Sequence, residues 1–296
     1  MGVEEWIRVH VRTVGTIEAV HKRPWATVLR VPTDGGVAWC KACAAAQAFE
    51  PPLTAALFAR WPDRVAEVLG HDEERRWLLL ADAGVPVGVS SNPPEAWLVG
   101  LPAYAELQRG EVPYVRHHLA RGVPDLRLAT LPARWDELLQ LDLPLEPQEI
   151  GQLRRFTPRL ADLCDELAAY DVPETLQHDD LHHANLYARG SSIRVLDWGD
   201  ASISHPFMSL VVTFRFLEQG TNLAPGDPWF ARLRDAYLEP WGRHLGASFT
   251  LALRVGSFAR AIAYVRQREA LSPEQRRLFN ADFSVVLRRA LSEAAD

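Results

Sequence analysis

The 296-residue chain is short of several things that would point to particular classes. No apolar run approaches the roughly 18 residues needed to cross a bilayer, so no membrane partner is expected. Positive charge is not in excess. The 32 Lys and Arg residues face 38 Asp and Glu, a net charge of −6 with no dominant basic patch, so nucleic acid is not an expected partner. Three cysteines (Cys40, Cys43, Cys164) provide no disulfide framework and suit a reducing compartment. Cys40 and Cys43 form a C-x-x-C, but no second pair completes a zinc site, and they read as small residues of an apolar strand. The start, Met-Gly-Val-Glu-Glu-Trp, has no basic region followed by an apolar core, so it does not read as a signal peptide. Trp6 stands where a myristoylation motif wants Ser or Thr. A cytoplasmic location is the expectation. There is no internal repeat and no low-complexity tail, and the oligomeric state is left open.

The composition that is present suits a folded chain long enough for one large domain or two modest lobes. Residues 4–12 leave a short helix open. Thr16–Val20 and Trp25–Val31 are rich in β-branched and aromatic residues, with a basic link, His21-Lys22-Arg23-Pro24, between them. Pro32-Thr33-Asp34-Gly35-Gly36 reads as a tight turn, with the glycine after Asp34 supplying positive φ. Val37–Cys43 is the return strand. At period 2 it puts Lys41 on the face of Val37, Trp39 and Cys43. An unpaired buried ammonium is costly, so Lys41 either reaches solvent or meets an anion. Glu50 is the only acid between Lys41 and Asp63. It stands at the mouth of a helix expected to run to about Arg60, from where it could reach back to Lys41.

Trp77-Leu78-Leu79-Leu80 reads as a short buried strand ending in Ala81-Asp82-Ala83-Gly84. A loop follows through Val85–Gly88 and Ser90–Pro94, and the composition then turns helical, which places a lobe boundary near residue 84. Helices are expected over 94–109, 111–123, 134–139, 147–170, 206–219, 228–241, 248–269 and 272–294. The 147–170 stripe (Ile150, Leu153, Phe156, Leu160, Leu163, Leu167) is wide enough to face a core.

The densest chemistry lies in residues 178–200. His178-Asp179-Asp180-Leu181-His182-His183-Ala184-Asn185 is followed by two short apolar runs and Asp197-Trp198-Gly199-Asp200. If the intervening chain forms a hairpin, Asp180, Asn185 and Asp197 converge. One carboxylate orienting a hydroxyl, with an amide and a second carboxylate on Mg²⁺, is a phosphoryl-transfer arrangement. By themselves these residues also permit a polar turn, or a metal cluster of His182, His183, Asp179 and Asp180 in a His-Asp phosphohydrolase. That second class is all-helical and needs another ligand histidine upstream. His71-Asp72, in a β-rich region, is a poor candidate.

The order of a hairpin lysine, a helix-mouth glutamate, a strand with a turn, then H-x-D-L-H-x-x-N and, twelve residues on, D-W-G resembles the aminoglycoside phosphotransferase and choline kinase-like family. The resemblance covers about Val14 to Pro206. It implies an α+β, two-lobed protein kinase-like fold. Residues 1–83 would be a small β-rich nucleotide-clamping lobe. Residues 84–296 would be a larger helical lobe with the catalytic loop and acceptor pocket. It further implies an ATP-dependent phosphotransferase, with a small-molecule hydroxyl as acceptor and ATP and Mg²⁺ as cofactors. Asp180 would be the catalytic aspartate and Asn185 and Asp197 the Mg²⁺ ligands. Lys41 would contact the α- and β-phosphates with Glu50 as its partner, and the backbone of Asp82, Ala83 and Gly84 would hold adenine.

The chain departs from the family pattern in two places. Asp179 stands where the family usually has Gly, and it is expected to point away from Asp180. No G-x-G-x-x-G covers the phosphates, and His21–Pro24 is the equivalent link, with Lys22 and Arg23 candidates for phosphate contact. His178 is expected to brace the loop by hydrogen bonding, and Asp200 and His205 to serve turn and packing roles. Asp136, Glu137, Asp142, Glu146 and Glu149 could surround a cationic acceptor, but solvated helix faces explain them equally well. A nucleotide-binding pseudokinase without turnover is the main rival.

Overall fold

The computed structural model describes residues 1–88, 92–189, 192–221 and 223–295. The N-terminal part is a helix and a sheet: α1 (Val3–His10), β1 (Glu18–Arg23), β2 (Ala26–Thr33), β3 (Gly36–Cys43), α2 (Glu50–Arg60), β4 (Val68–Asp72) and β5 (Trp77–Ala81). The five strands form an antiparallel sheet in the order β1-β2-β3-β5-β4. One face of β3 buries Ala38 and Cys40, which pack with Val31 and Leu79 beneath Trp6 and Ile7 of α1. Period-2 alternation then turns Trp39 and Lys41 to the opposite face. A small core thus holds the sheet from one side and leaves Lys41 free to face the rest of the molecule.

Two local expectations are corrected. His21–Arg23 is not a link. It is the end of β1, with His21, Lys22 and Arg23 paired to Val28, Thr27 and Ala26, and the turn is Pro24-Trp25. In the next hairpin the pairing runs to Thr33 and Gly36, so Asp34-Gly35 form the tip, and Gly36, at φ +126°, carries the positive φ.

Beyond β5 the chain adds β6 (Val85–Pro86) and then α3 (Pro94–Glu111), α4 (Val115–Ala120), α5 (Leu131–Leu139) and α6 (Pro147–Ala168). The expected helix over 111–123 is shorter. It is a 3-10 turn at Val112–Tyr114 and then α4. Ser90 and Ser91 of the expected loop lie outside the described residues. The chain continues through β7 (Thr175–Gln177), β8 (Leu186–Arg189), β9 (Ser192–Val195) and β10 (Ser202–Ser204) to α7 (Leu210–Thr221), α8 (Pro228–Leu238), α9 (Gly246–Val265) and α10 (Pro273–Ala295). β6 pairs with the β8–β9 hairpin, and β10 pairs with β7. The helices bury one large core, with Trp97, Trp135, Trp198, Tyr104, Phe207, Tyr237, Phe258 and Phe283 fully covered. Leu53 and Leu57 of α2 and Val65 belong to that core, and Val65 bridges Val195. The helix carrying Glu50 is therefore seated on the C-terminal part. Among the described residues no helix is long and apolar enough to cross a membrane.

Candidate active site

Lys41 lies opposite Val28 on one side and Leu78 on the other, in the centre of the sheet. Its ammonium is 2.6 Å from Glu50 Oε2 and 2.6 Å from Asp197 Oδ1. Glu50 opens α2, whose first turn accepts Pro51 and Pro52 without losing a needed donor. Its side chain is 2% exposed. Burial pushes the Glu50 carboxyl up to about 7 despite the nearby ammonium, and the neighbouring Asp197 adds to the rise. Desolvation also acts against the Asp197 carboxylate, but Lys41 outweighs it by charge and hydrogen bond, so its pKa lies below the usual value.

The 178–200 stretch forms the hairpin that convergence requires. Leu186 pairs with Val195, and the Leu196 N–H donates to the Asn185 carbonyl at 3.0 Å. Asp197 follows directly, in a left-handed conformation at φ +63°. Asn185 Nδ2 donates to the Asp180 carbonyl at 3.0 Å. That commits the amide nitrogen and leaves the amide oxygen as the acceptor end. Gly199 explains itself by contact. A Cβ there would lie 2.5 Å from Gln47 Nε2 and 2.8 Å from Glu50 Oε2, so a larger residue would have to push back the ends of two buried side chains beside the 198–200 turn.

His178 is buried and locks the loop. Its Nε2–H donates to the Leu196 carbonyl at 2.7 Å, and its Nδ1 accepts the Asp180 N–H at 3.3 Å. Burial lowers its pKa, so the neutral ring suits both bonds. Asp179 does turn away from Asp180, by means of backbone conformation at φ +61°. Its carboxylate is buried against Ser202 Oγ and Gln177 Nε2, and burial pushes it up to about 6.

Asp180 itself is held by groups from two sides. Arg260 Nη2 of α9 is 3.1 Å from Oδ1, and His182 Nε2 is 3.3 Å from Oδ2. His182 Nδ1 accepts the Ala184 N–H, which leaves Nε2 as the proton-bearing nitrogen toward Asp180. Burial opposes the ionised carboxylate, but the His182 hydrogen bond and the Arg260 charge prevail and hold its pKa far below the usual range. Arg260 was not identified from sequence. The available signal was a lone arginine inside Phe258-Ala259-Arg260-Ala261-Ile262-Ala263, which must be paired if buried.

At the end of β5, Asp82 Oδ1 accepts the Gly84 N–H at 3.0 Å, Ala83 is buried and Gly84 has φ +108°. These three residues are the strap between the five-stranded sheet and β6. Lys22 and Arg23 lie on an edge strand exposed along its whole length. His183 packs over Gly88 and against Phe216. Asp200 accepts from Gln267 and Arg266, and His205 Nδ1 caps a turn at Phe207. Among the described residues no three His, Cys, Asp or Glu side chains are placed to hold a metal ion, and His71 lies in β4 beside Glu73. The four-residue His-Asp cluster does not form.

A family model described as the phosphotransferase enzyme family (APH) matches residues 55–249. The chain belongs to this family. The matched span includes Asp180, Asn185 and Asp197, while Lys41 and Glu50 precede it. The chain is thus a phosphotransferase, with the antiparallel N-terminal sheet and helical C-terminal part of kinase-like folds. Among solved structures it is similar to the choline kinase LicA from Streptococcus pneumoniae (TM-score 0.68, 11% identity, covering 99% of this chain and 97% of that one). It is also similar to APH(2")-IIia in a complex with GDP and kanamycin (TM-score 0.58, 16% identity, 96% and 94% covered). A third is the amicoumacin kinase hAmiN with AMP-PNP, Ca²⁺ and Ami (TM-score 0.55, 12% identity, 99% and 93% covered). At these identities the likeness carries the fold alone. No curated protein sequence matches the chain.

Proposed function

We propose that this phosphotransferase moves the γ-phosphate of ATP to a hydroxyl of a small molecule, with its two lobes meeting between residues 83 and 84. The observation that carries the reading is the single Lys41 ammonium at 2.6 Å from both Glu50 and Asp197, beside the hairpin that presents Asp180 and Asn185. Lys41, positioned by Glu50, serves the α- and β-phosphates, and the Asp82–Gly84 strap borders the adenine. The GDP and AMP-PNP of the similar structures support a nucleotide in this cleft.

The donor set fits Mg²⁺. The hairpin bonds Leu196 N–H to the Asn185 carbonyl, and the Asn185 amide oxygen and the second Asp197 carboxylate oxygen are hard oxygen donors of the kind that suit a hard cation with few protein ligands and phosphate oxygens. Mg²⁺ would supply charge neutralisation across the phosphates. Asp180, held ionised by Arg260 and His182, accepts the hydrogen bond of the acceptor hydroxyl and orients it. Because its basicity is low, the proton passes to it late, as the new P–O bond forms and ADP leaves, consistent with a loose transition state. The assignment is tested by ADP release over a library of hydroxyl compounds. Asp180→Asn and Asp197→Ala are each expected to lower kcat by about 10²–10⁴. Activity surviving both changes overturns the mechanism. Mg²⁺-dependent stabilisation by ATP with no transfer to any acceptor identifies the pseudokinase instead.

A further inference from the structure

The whole chain has six more acidic than basic residues, yet arginines from α7, α9 and α10 gather near Asp180. Arg260 already pairs with Asp180. Arg215 on α7 lies near enough to Arg260 and to Arg289 on α10 that their two positive charges add to burial in lowering its pKa, while Asp180 and Tyr264 act the other way. Arg215 is half-buried, and its guanidinium sits 4.9 Å above the Phe216 ring. Phe216 in turn packs 4.7 Å from the His182 ring, which contacts Asp180. No described residue gives Arg215 a hydrogen bond or an ion pair, and its Nε is buried without a partner. The buried Arg260 Nε is likewise unpartnered.

The carboxylates that could serve a cationic acceptor are engaged elsewhere. Glu137 pairs with Arg134 and Glu149 with Arg288, Glu146 caps α6, Asp142 lies 3.8 Å from Arg268, and Asp136 is exposed on α5. The acids nearest Asp180 are themselves engaged, Asp197 with Lys41, Asp179 with Ser202 and Gln177, and Asp200 with Gln267, while Asp282 is exposed on α10. A desolvated guanidinium without a counter-ion is costly to keep, and its planar fork matches a carboxylate or phosphate.

Resting on the phosphotransferase reading, we propose that the acceptor is an anionic hydroxyl compound, a hydroxy acid or a sugar- or polyol-phosphate, whose carboxylate or phosphate is received by Arg215 while its hydroxyl faces Asp180. Arg289 and Arg260 add positive potential to the same wall. The anion replaces the missing counter-ion of Arg215. A choline- or aminoglycoside-like cation would instead meet three arginines.

The test compares glycerate and glycerol 3-phosphate with glycerol and choline, in ADP-release assays and in thermal shifts at saturating Mg²⁺ and ATP analogue. The two anions also separate the carboxylate from the phosphate source. Stabilisation and turnover by at least one anion, absent with glycerol and choline, are expected. Arg215→Gln should raise the KM for that anion about ten- to a hundredfold, the loss of one charge-assisted contact. The KM for ATP should be unchanged, and Arg215→Lys should restore part of the affinity and control for folding. Turnover of choline at equal or higher kcat/KM overturns the inference but leaves phosphotransfer standing. So does an Arg215→Gln effect confined to kcat, which would place Arg215 on the transferred phosphoryl group. Stabilisation by the anions that Arg215→Gln abolishes, with no transfer to any acceptor, keeps the anion site and overturns phosphotransfer. Neither stabilisation nor turnover with the anions overturns the inference.

Discussion

At the residue scale the site is a set of charges with too few counter-charges, and each imbalance has a measurable result. Glu50 retains its proton to about 7 in the folded chain against 4.5 ordinarily. Between those values the unfolded chain releases a proton that the folded one keeps. Stability from this group is therefore intact below 4.5 and falls as pH rises to about 7. Urea unfolding of Glu50→Gln and wild type should diverge across that window in favour of the variant, by at most about 3 kcal/mol. Gly199→Ala should cost about 1–3 kcal/mol and most of the activity, because its Cβ displaces Glu50; equilibrium unfolding with ADP release checks both. Arg260→Gln removes a positive partner of Asp180, so the acid limb of the kcat/KM profile should move to higher pH by about one unit. The meeting of Lys41 with Glu50 and Asp197, and of Asn185 with Asp180, could be anticipated from sequence because the motif order that carries the family resemblance fixes residue types at fixed spacing. Arg215 and Arg260 could not. A single arginine in an amphipathic or apolar helix carries no spacing signal, and what it meets is decided by how α7, α9 and α10 are assembled.

At the element scale the same contrast holds. The long helices were legible because a core-facing stripe repeats over many turns, as in α6 and α9. β1 was truncated at its charged end because both its faces are exposed, which removes the alternation that marks a strand, and charge on an edge strand guards against mispairing. β4 and β6 were missed because they are short and owe their pairing to β5 and β8, not to their own pattern. Packing between α5, α6 and α9 centres on Phe258, stacked 5.3 Å from Phe156 and edge-on to Trp135 at 5.0 Å. Phe258→Ala should cost about 3–5 kcal/mol by calorimetry. Because Arg260 is two residues along α9, activity should fall before the chain unfolds.

At the scale of the whole molecule there are two cores of unequal size. The smaller one holds only Trp6, Ile7 and a few sheet residues, so the N-terminal sheet depends on α1. Trp6→Ala should lower the earliest unfolding transition and raise the KM for ATP, with the later helical transition unmoved. A single cooperative loss of both in calorimetry would contradict this. The sheet and the helical part meet at the 82–84 strap, at α2, and at the ammonium shared by Glu50 and Asp197. That last contact has a consequence for how nucleotide arrives. The two parts are already cross-linked by charge, so if Lys41 serves the phosphates as proposed, an incoming nucleotide must outcompete two carboxylates for one lysine. On the proposed function, nucleotide uptake would be an ion-exchange step, with Asp197 giving up Lys41 to the phosphates and becoming free to hold the cation.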